Sequence, residues 1–223
     1  MTETVTTFAQ VVAVAFAALI PVINPPGVAP IFLSLTAGAG DAARAAMAAR
    51  VARHSFVLLV AAMLAGSSIL RLFGLSLAEI RMAGGLLVIA TAWHLIRAEQ
   101  TPDSTIVALS PSDRAEALDS RGFYPLTFPV TIGPGSLSIA VTVGAGMRTN
   151  NPIDVAALLG AILGGALVSF TVYLCYRFAP RIERTLGAAG TVVVLRLSAF
   201  ILLSVGVKIL CDGVVERFTA GSA

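Results

Sequence analysis

Charge is what this chain has least of. Asp, Glu, Lys and Arg make up 12% of its 223 residues, about half the share of a soluble globular domain. A solvated surface cannot be built from so few charges, which excludes an ordinary soluble fold. Cysteine is nearly absent: Cys175 and Cys211 lie near the ends of separate apolar runs, on opposite membrane faces in the topology below, so they are expected to be unpaired. The two histidines, His54 and His94, have no Asp or Cys at ligand spacing, so no metal site is expected. There is no nucleophile elbow, no phosphate-binding glycine loop and no pair of carboxylates inside an apolar run. The expectation is a protein that is not an enzyme and carries no cofactor.

Hydrophobic side chains are abundant, at 57% of the chain. They fall in six runs, residues 8–36, 55–72, 82–96, 123–146, 155–179 and 191–211, each close to or beyond the length that crosses a bilayer. The expected fold is an all-α integral membrane protein with six transmembrane helices. The longest intervening stretch, residues 97–122, is too short to bury a core of its own. The net charge of +3 therefore describes loops beside a membrane, and no nucleic-acid partner is expected. The first run lacks a basic leader and exceeds a signal-peptide core, so it is read as part of the mature protein.

Arginine is sorted between the loops. Nine, namely Arg44, Arg50, Arg53, Arg97, Arg114, Arg121, Arg177, Arg181 and Arg184, follow runs one, three and five, against Arg71, Arg148 and Arg217 on the other side. By the positive-inside rule the nine face the cytoplasm and both termini lie outside. Lys208, four residues before Asp212, is expected to pair with it.

The chain also repeats itself. Pro21-Val22-Ile23-Asn24-Pro25-Pro26-Gly27 matches Pro129-Val130-Thr131-Ile132-Gly133-Pro134-Gly135 at an offset of 108, and Ile80-Arg81-Met82-Ala83 matches Leu195-Arg196-Leu197-Ser198 at 115. Three spans per half is an odd number, so the second half enters the membrane upside down. The expected organisation is a first three-helix repeat over 1–96, a cytoplasmic linker over 97–122 and an inverted second repeat over 123–223.

The first run is too long for one straight span, about 43 Å as a continuous helix against a hydrocarbon core of about 30 Å. Its middle holds Asn24-Pro25-Pro26-Gly27, where two prolines remove donors and crowd the preceding turn. The helix is predicted to stop near Val22 and restart near Pro25 with Asn24 as N-cap. The fourth run repeats the break at Gly133-Pro134-Gly135. Unwound backbone at that depth persists only where protein or a polar cavity covers it. Each restarted half-helix is expected to present N–H groups and a positive dipole end to an anion such as a carboxylate. The candidate substrate-binding residues are Asn24, Pro25, Pro26, Gly27, Thr131, Gly133, Pro134, Gly135, Ser136 and Ser138, with Thr127 nearby. Arg81 and Arg196, at matching places in the third and sixth helices, are the candidate gating or carboxylate-pairing residues, since a charge within a span costs at least about 2.5 kcal/mol. Snorkelling to the headgroups is their alternative role. Gly160 and Gly164 form a GxxxG pattern, which calls for close helix packing and no ligand.

Three stretches carry a family likeness: Ile23-Asn24-Pro25-Pro26-Gly27-Val28-Ala29-Pro30-Ile31-Phe32-Leu33-Ser34-Leu35-Thr36, Arg81-Met82-Ala83-Gly84-Gly85, and Pro129 to Ser136. With them the chain resembles the MarC/SnatA family of six-span membrane proteins along essentially its whole length. The resemblance implies transport of small neutral amino acids such as glycine and alanine across the cytoplasmic (inner) membrane. Where many relatives carry Asn after the glycine of the first block, this chain has Val28. Residues and resemblance together lead to a secondary transporter working by alternating access. Its partners are a small neutral amino acid and membrane lipid, and a homo-oligomer stays open. An efflux carrier for another small metabolite or drug, or a non-transporting structural or regulatory membrane protein, are the alternatives. The direction of transport and the coupling ion are not legible in the residues.

Overall fold

The computed structural model describes residues 2–97, 122–146 and 155–220, and the regular elements among them are all helical. Helices α1 (Thr2–Ile23) and α2 (Pro25–Leu35) form the first bent pair, turning by 47° at Asn24. Helices α3 (Asp41–Leu72) and α4 (Leu77–Arg97) follow. Next comes a wound but irregular segment, Gly122–Thr131, with extended backbone at Tyr124 and Phe128 and cis peptide bonds before Pro125 and Pro129. It turns by 70° into α5 (Pro134–Gly146). Helices α6 (Val155–Gly187) and α7 (Ala189–Thr219) complete the chain. Four helices, α3, α4, α6 and α7, are long and apolar enough to cross a membrane, and there are six spans if each bent pair counts as one.

The expected breaks in helices one and four are present. Two helices outrun their apolar runs. α3 starts at Asp41 rather than at residue 55, because the preceding stretch of Ala, Arg and Met consists of strong helix formers. α6 continues through Arg177, Pro180 and Arg184 to Gly187, where φ of 68° makes the reversal into α7 at a residue without a Cβ. The loop expected over residues 180–190 is therefore a single turn. The linker over 97–122 falls almost wholly outside the described residues, as do Arg114, Arg121 and Arg148.

Large apolar side chains face outward along the helices, among them Val57, Leu86, Leu159, Phe170, Val193 and Phe200. In water such a surface would aggregate, whereas in a bilayer it is the lipid-facing belt. The interior is closed by Leu19, Phe32, Leu59, Met63, Leu126, Ile132 and Tyr176, all fully buried.

Small residues set how closely the helices approach. Gly160 and Gly164 of α6 lie against Val11 and Ala15 of α1, the packing that the GxxxG pattern calls for. On the other side of the fold α4 and α7 meet antiparallel. Gly85 abuts the Leu210 and Gly206 backbone, Gly206 abuts Ile89, and Gly213 abuts Ala78 and Met82. Two crossed ion pairs close the same end: Arg81 with Glu216 at 2.6 Å and Arg217 with Glu79 at 3.8 Å.

Candidate functional site

The first break follows from covalent structure. Asn24 adopts the left-handed conformation (φ 47°, ψ 58°) and caps α2 by accepting the Gly27 N–H at 3.3 Å through Oδ1. Pro25 and Pro26 occupy the first two helical positions, where a missing N–H leaves nothing unsatisfied. The Val28 N–H reaches the Asn24 carbonyl at 3.1 Å. The first turn of α2 therefore keeps no free donor, unlike the expectation that both restarted helices present N–H groups. Gly27 is buried, and a Cβ there would overlap the Asn24 amide and Ser198 of α7.

The second break is put together differently. Gly133 stands at the capping place of α5 and has no side chain to offer. The Leu137 N–H bonds the Gly133 carbonyl at 3.1 Å, but the N–H groups of Gly135 and Ser136 find no acceptor among the described residues. Both residues are buried, Ser136 to 3% exposure, and an unmet buried donor costs about 1–3 kcal/mol. The wall opposite is α4: a Cβ on Gly135 would run into Val88, and one on Gly84 into Ser138, whose hydroxyl donates to the Ile80 carbonyl at 2.9 Å.

The segment leading into this break has its own order. It repeats an aromatic-Pro-aliphatic-Thr unit, Tyr124-Pro125-Leu126-Thr127 and Phe128-Pro129-Val130-Thr131. Each threonine hydroxyl donates to a carbonyl five residues back, Thr127 to Gly122 at 2.7 Å and Thr131 to Leu126 at 2.6 Å. Each also meets a residue from a neighbouring helix. The His54 Nδ1 of α3 lies 3.5 Å from Thr127, and the Tyr176 hydroxyl of α6 lies 2.7 Å from Thr131. The fully buried Tyr176 ring stacks on Phe32 of α2, with centroids 4.4 Å apart. One side chain thus touches both broken spans. Sequence reasoning missed Tyr176; the available signal was a phenol within an apolar run, whose hydroxyl needs a partner once buried.

The candidate residues gather unequally. Asn24, Pro25 and Gly27 stand at the first break, with Pro26 exposed at its edge, and Thr131, Gly133, Pro134, Gly135, Ser136 and Ser138 at the second. The breaks are neighbours, since α1 touches α5 and α2 touches the Gly122–Thr131 segment. Arg81 lies at the far end of α4, its Nη1 on Glu216 and its Nε 3.4 Å from Thr142 of α5. Arg196 is exposed and has no ion-pair partner among the described residues. Lys208 pairs with Asp212 at 2.8 Å, as its spacing predicts. Among the described residues no group of His, Cys, Asp and Glu is arranged to hold a metal ion, and both cysteines are free thiols.

The family described as MarC family integral membrane protein matches residues 9–218. The membrane protein YvbG of Bacillus subtilis is 30% identical over 205 residues, covering 91% of this chain and 93% of its own. A membrane protein of Archaeoglobus fulgidus is 28% identical over 216 residues, 92% of each chain. The inner membrane protein MarC of Salmonella typhimurium is 26% identical over 201 residues, 89% of this chain and 91% of its own. No solved structure gives a significant match. The match along nearly the whole length, together with two apolar spans broken at Pro and Gly, makes this chain a member of the MarC family of integral membrane proteins.

Proposed function

We propose that the chain is a secondary transporter that moves small neutral amino acids across the cytoplasmic membrane by alternating access. The observation that carries this reading is the adjacency of two broken spans whose exposed backbone groups lie inside the protein. Unwound backbone within a membrane persists only where protein or a polar cavity covers it, and both breaks here lie inside the protein. A buried pair of such sites is the architecture of a midplane substrate site.

The reading includes two inverted three-helix repeats, and the pattern of contact supports them. α1 meets α5 while the Gly122–Thr131 segment meets α2, so the halves of the two broken spans exchange roles. Gly27 seats on Ser198 of α7, and Gly135 seats on Val88 of α4. Each break therefore rests on the third span of the other half, as a pseudo-twofold axis in the membrane plane requires. The basic ends of α3, α4 and α6 face the cytoplasm on this reading, with both termini outside.

Uptake and counterflow of labelled glycine, alanine and serine in proteoliposomes test the function. Saturable flux of at least one of them is expected. A complete absence of saturable flux overturns the reading in favour of a structural or regulatory membrane protein, and saturable flux of other metabolites alone favours an efflux carrier.

A further inference from the structure

We propose that a cavity between α2 and the α6–α7 hairpin binds a primary ammonium group through the Pro26 carbonyl, the Thr191 hydroxyl oxygen and the Glu183 carboxylate. The site stands apart from the function proposed above: it takes an amine whether or not the chain transports amino acids.

α2 lies across the hairpin. Gly27 at its start packs on Ser198 of α7, and Phe32 near its end stacks on Tyr176 of α6. Toward the Gly187 turn a cavity remains, with Pro26, Ala29 and Pro30 of α2 on one side and Ile182 and Glu183 of α6 and Thr191 of α7 on the other. The three α2 residues, spaced three and four apart, form one face of the helix. Two prolines and an alanine are too short to fill the gap to the hairpin. Space of about 20 Å³ is left, enough for one water-sized group. An ammonium head has that size, and a whole amino acid does not.

The polar groups around this space are acceptors. A helical carbonyl points toward the N–H four residues on. For Pro26 that residue is Pro30, which has no N–H, so the Pro26 carbonyl lacks its helical donor on the very face that lines the cavity. The buried Thr191 hydroxyl donates to the Gly187 carbonyl at 2.8 Å, which leaves its oxygen lone pairs to offer. The Glu183 carboxylate only accepts, and it has no hydrogen bond or ion pair among the described residues. Arg181 and Arg184 stand two before and one after it, spacings that do not face it on a helix. The Arg181 guanidinium lies instead over the Phe178 ring, 5.2 Å from its centroid.

The remaining lining side chains are apolar. Three acceptors with no free side-chain donor disfavour an anion. A primary ammonium brings three donors of its own, and the carbon attached to it suits the apolar wall. A bare inorganic cation would instead set uncompensated charge against that wall. Pro26 also belongs to the first break, so a bound ammonium ties α2 to the hairpin beside it.

Thermal unfolding of the purified full chain in methylammonium, against choline and sodium at equal ionic strength, tests the site. Methylammonium is expected to raise the midpoint, since a ligand of the folded state stabilises it, whereas choline, which has no N–H, does not. Glu183→Gln, a change at an exposed position, is expected to weaken the methylammonium effect about tenfold in concentration, the loss of one charge-assisted hydrogen bond. Equal stabilisation by choline or sodium, or an unchanged effect in Glu183→Gln, overturns the assignment. A second arm reads the cavity directly. With Cys175 and Cys211 replaced by Ser, methylammonium is expected to slow thiol labelling of a Leu33→Cys variant several-fold, Leu33 being part of the lining. Protection by glycine as well assigns the site to the ammonium end of an amino acid, and protection by methylammonium alone assigns it to a free amine. No protection by methylammonium refutes the site. Absence of glycine flux in vesicles refutes the transporter reading and leaves the ammonium site standing.

Discussion

The Tyr176 hydroxyl lies 2.7 Å from that of Thr131, which donates a hydrogen bond to the Leu126 carbonyl, while the Tyr176 ring stacks on Phe32. This chain of contacts fastens α6 to both broken spans in a fully buried place. Tyr176→Phe keeps the stack and removes one hydrogen bond, so it is expected to lower stability by about 1 kcal/mol. Phe32→Ala removes a buried ring and is expected to cost about 3–5 kcal/mol. Thermal unfolding in detergent measures both. Equal losses in the two variants would show that the ring contributes nothing beyond the hydroxyl.

The glycines at the breaks are there because neighbours leave no room. Gly27→Leu and Gly135→Leu place side chains into Ser198 and Val88, and each is expected to abolish substrate flux while the protein still inserts. Glycine uptake normalised to membrane protein is the check, and normal uptake by both variants would remove the breaks from the site.

Arg81 and Arg196 are equivalent in sequence but not in surroundings. Arg81 serves Glu216 and Thr142 with different nitrogens, a fork that Lys does not reproduce. Arg196 stands exposed. Sequence symmetry leads to matching losses for the two Arg→Lys variants, whereas the contacts lead to a several-fold loss of flux for Arg81→Lys and near-normal flux for Arg196→Lys. Transport kinetics in reconstituted vesicles decide between these outcomes. The Arg81 and Glu216 side chains are about a third exposed, so the pair contributes at most about 1 kcal/mol and weakens with salt.

Orientation is tested with native thiols. Cys211 is exposed near the C-terminal end of α7, and an impermeant reagent is expected to label it from outside intact cells. A Cys placed at Ser112 in a Cys-free background is expected to react only after the membrane is opened. The opposite pattern would invert the topology.

The breaks were legible in the sequence because proline and glycine act through covalent structure: Asn24 as cap and Pro25 as first helical residue follow from the residue types alone. The lengths of α3 and α6 were not, since apolar runs mark depth in the membrane and a helix continues past it wherever its residues favour helix. Partners were least legible. Arg81 finds Glu216 across 135 positions of chain, and the Tyr176 contacts depend on a ring from α2 and a hydroxyl from the Gly122–Thr131 segment meeting at one point. The difference between the breaks was half visible: Asn24 is recognisable as a cap, while the unmet backbone N–H groups of Gly135 and Ser136 needed the fold.

The glycine contacts between α4 and α7 bear on how the molecule moves. With Gly206 on Ile89 and Gly85 on Leu210, main chain nearly touches main chain. A ratchet of one turn, about 5.4 Å, would bring Leu203 or Leu210 to the place of Gly206 and drive a branched side chain into the opposing backbone. A one-turn slide along this seam is sterically opposed. On the proposed transporter reading, exchange of access would then fall to the bent spans, with Asn24 and Gly133 at their joints.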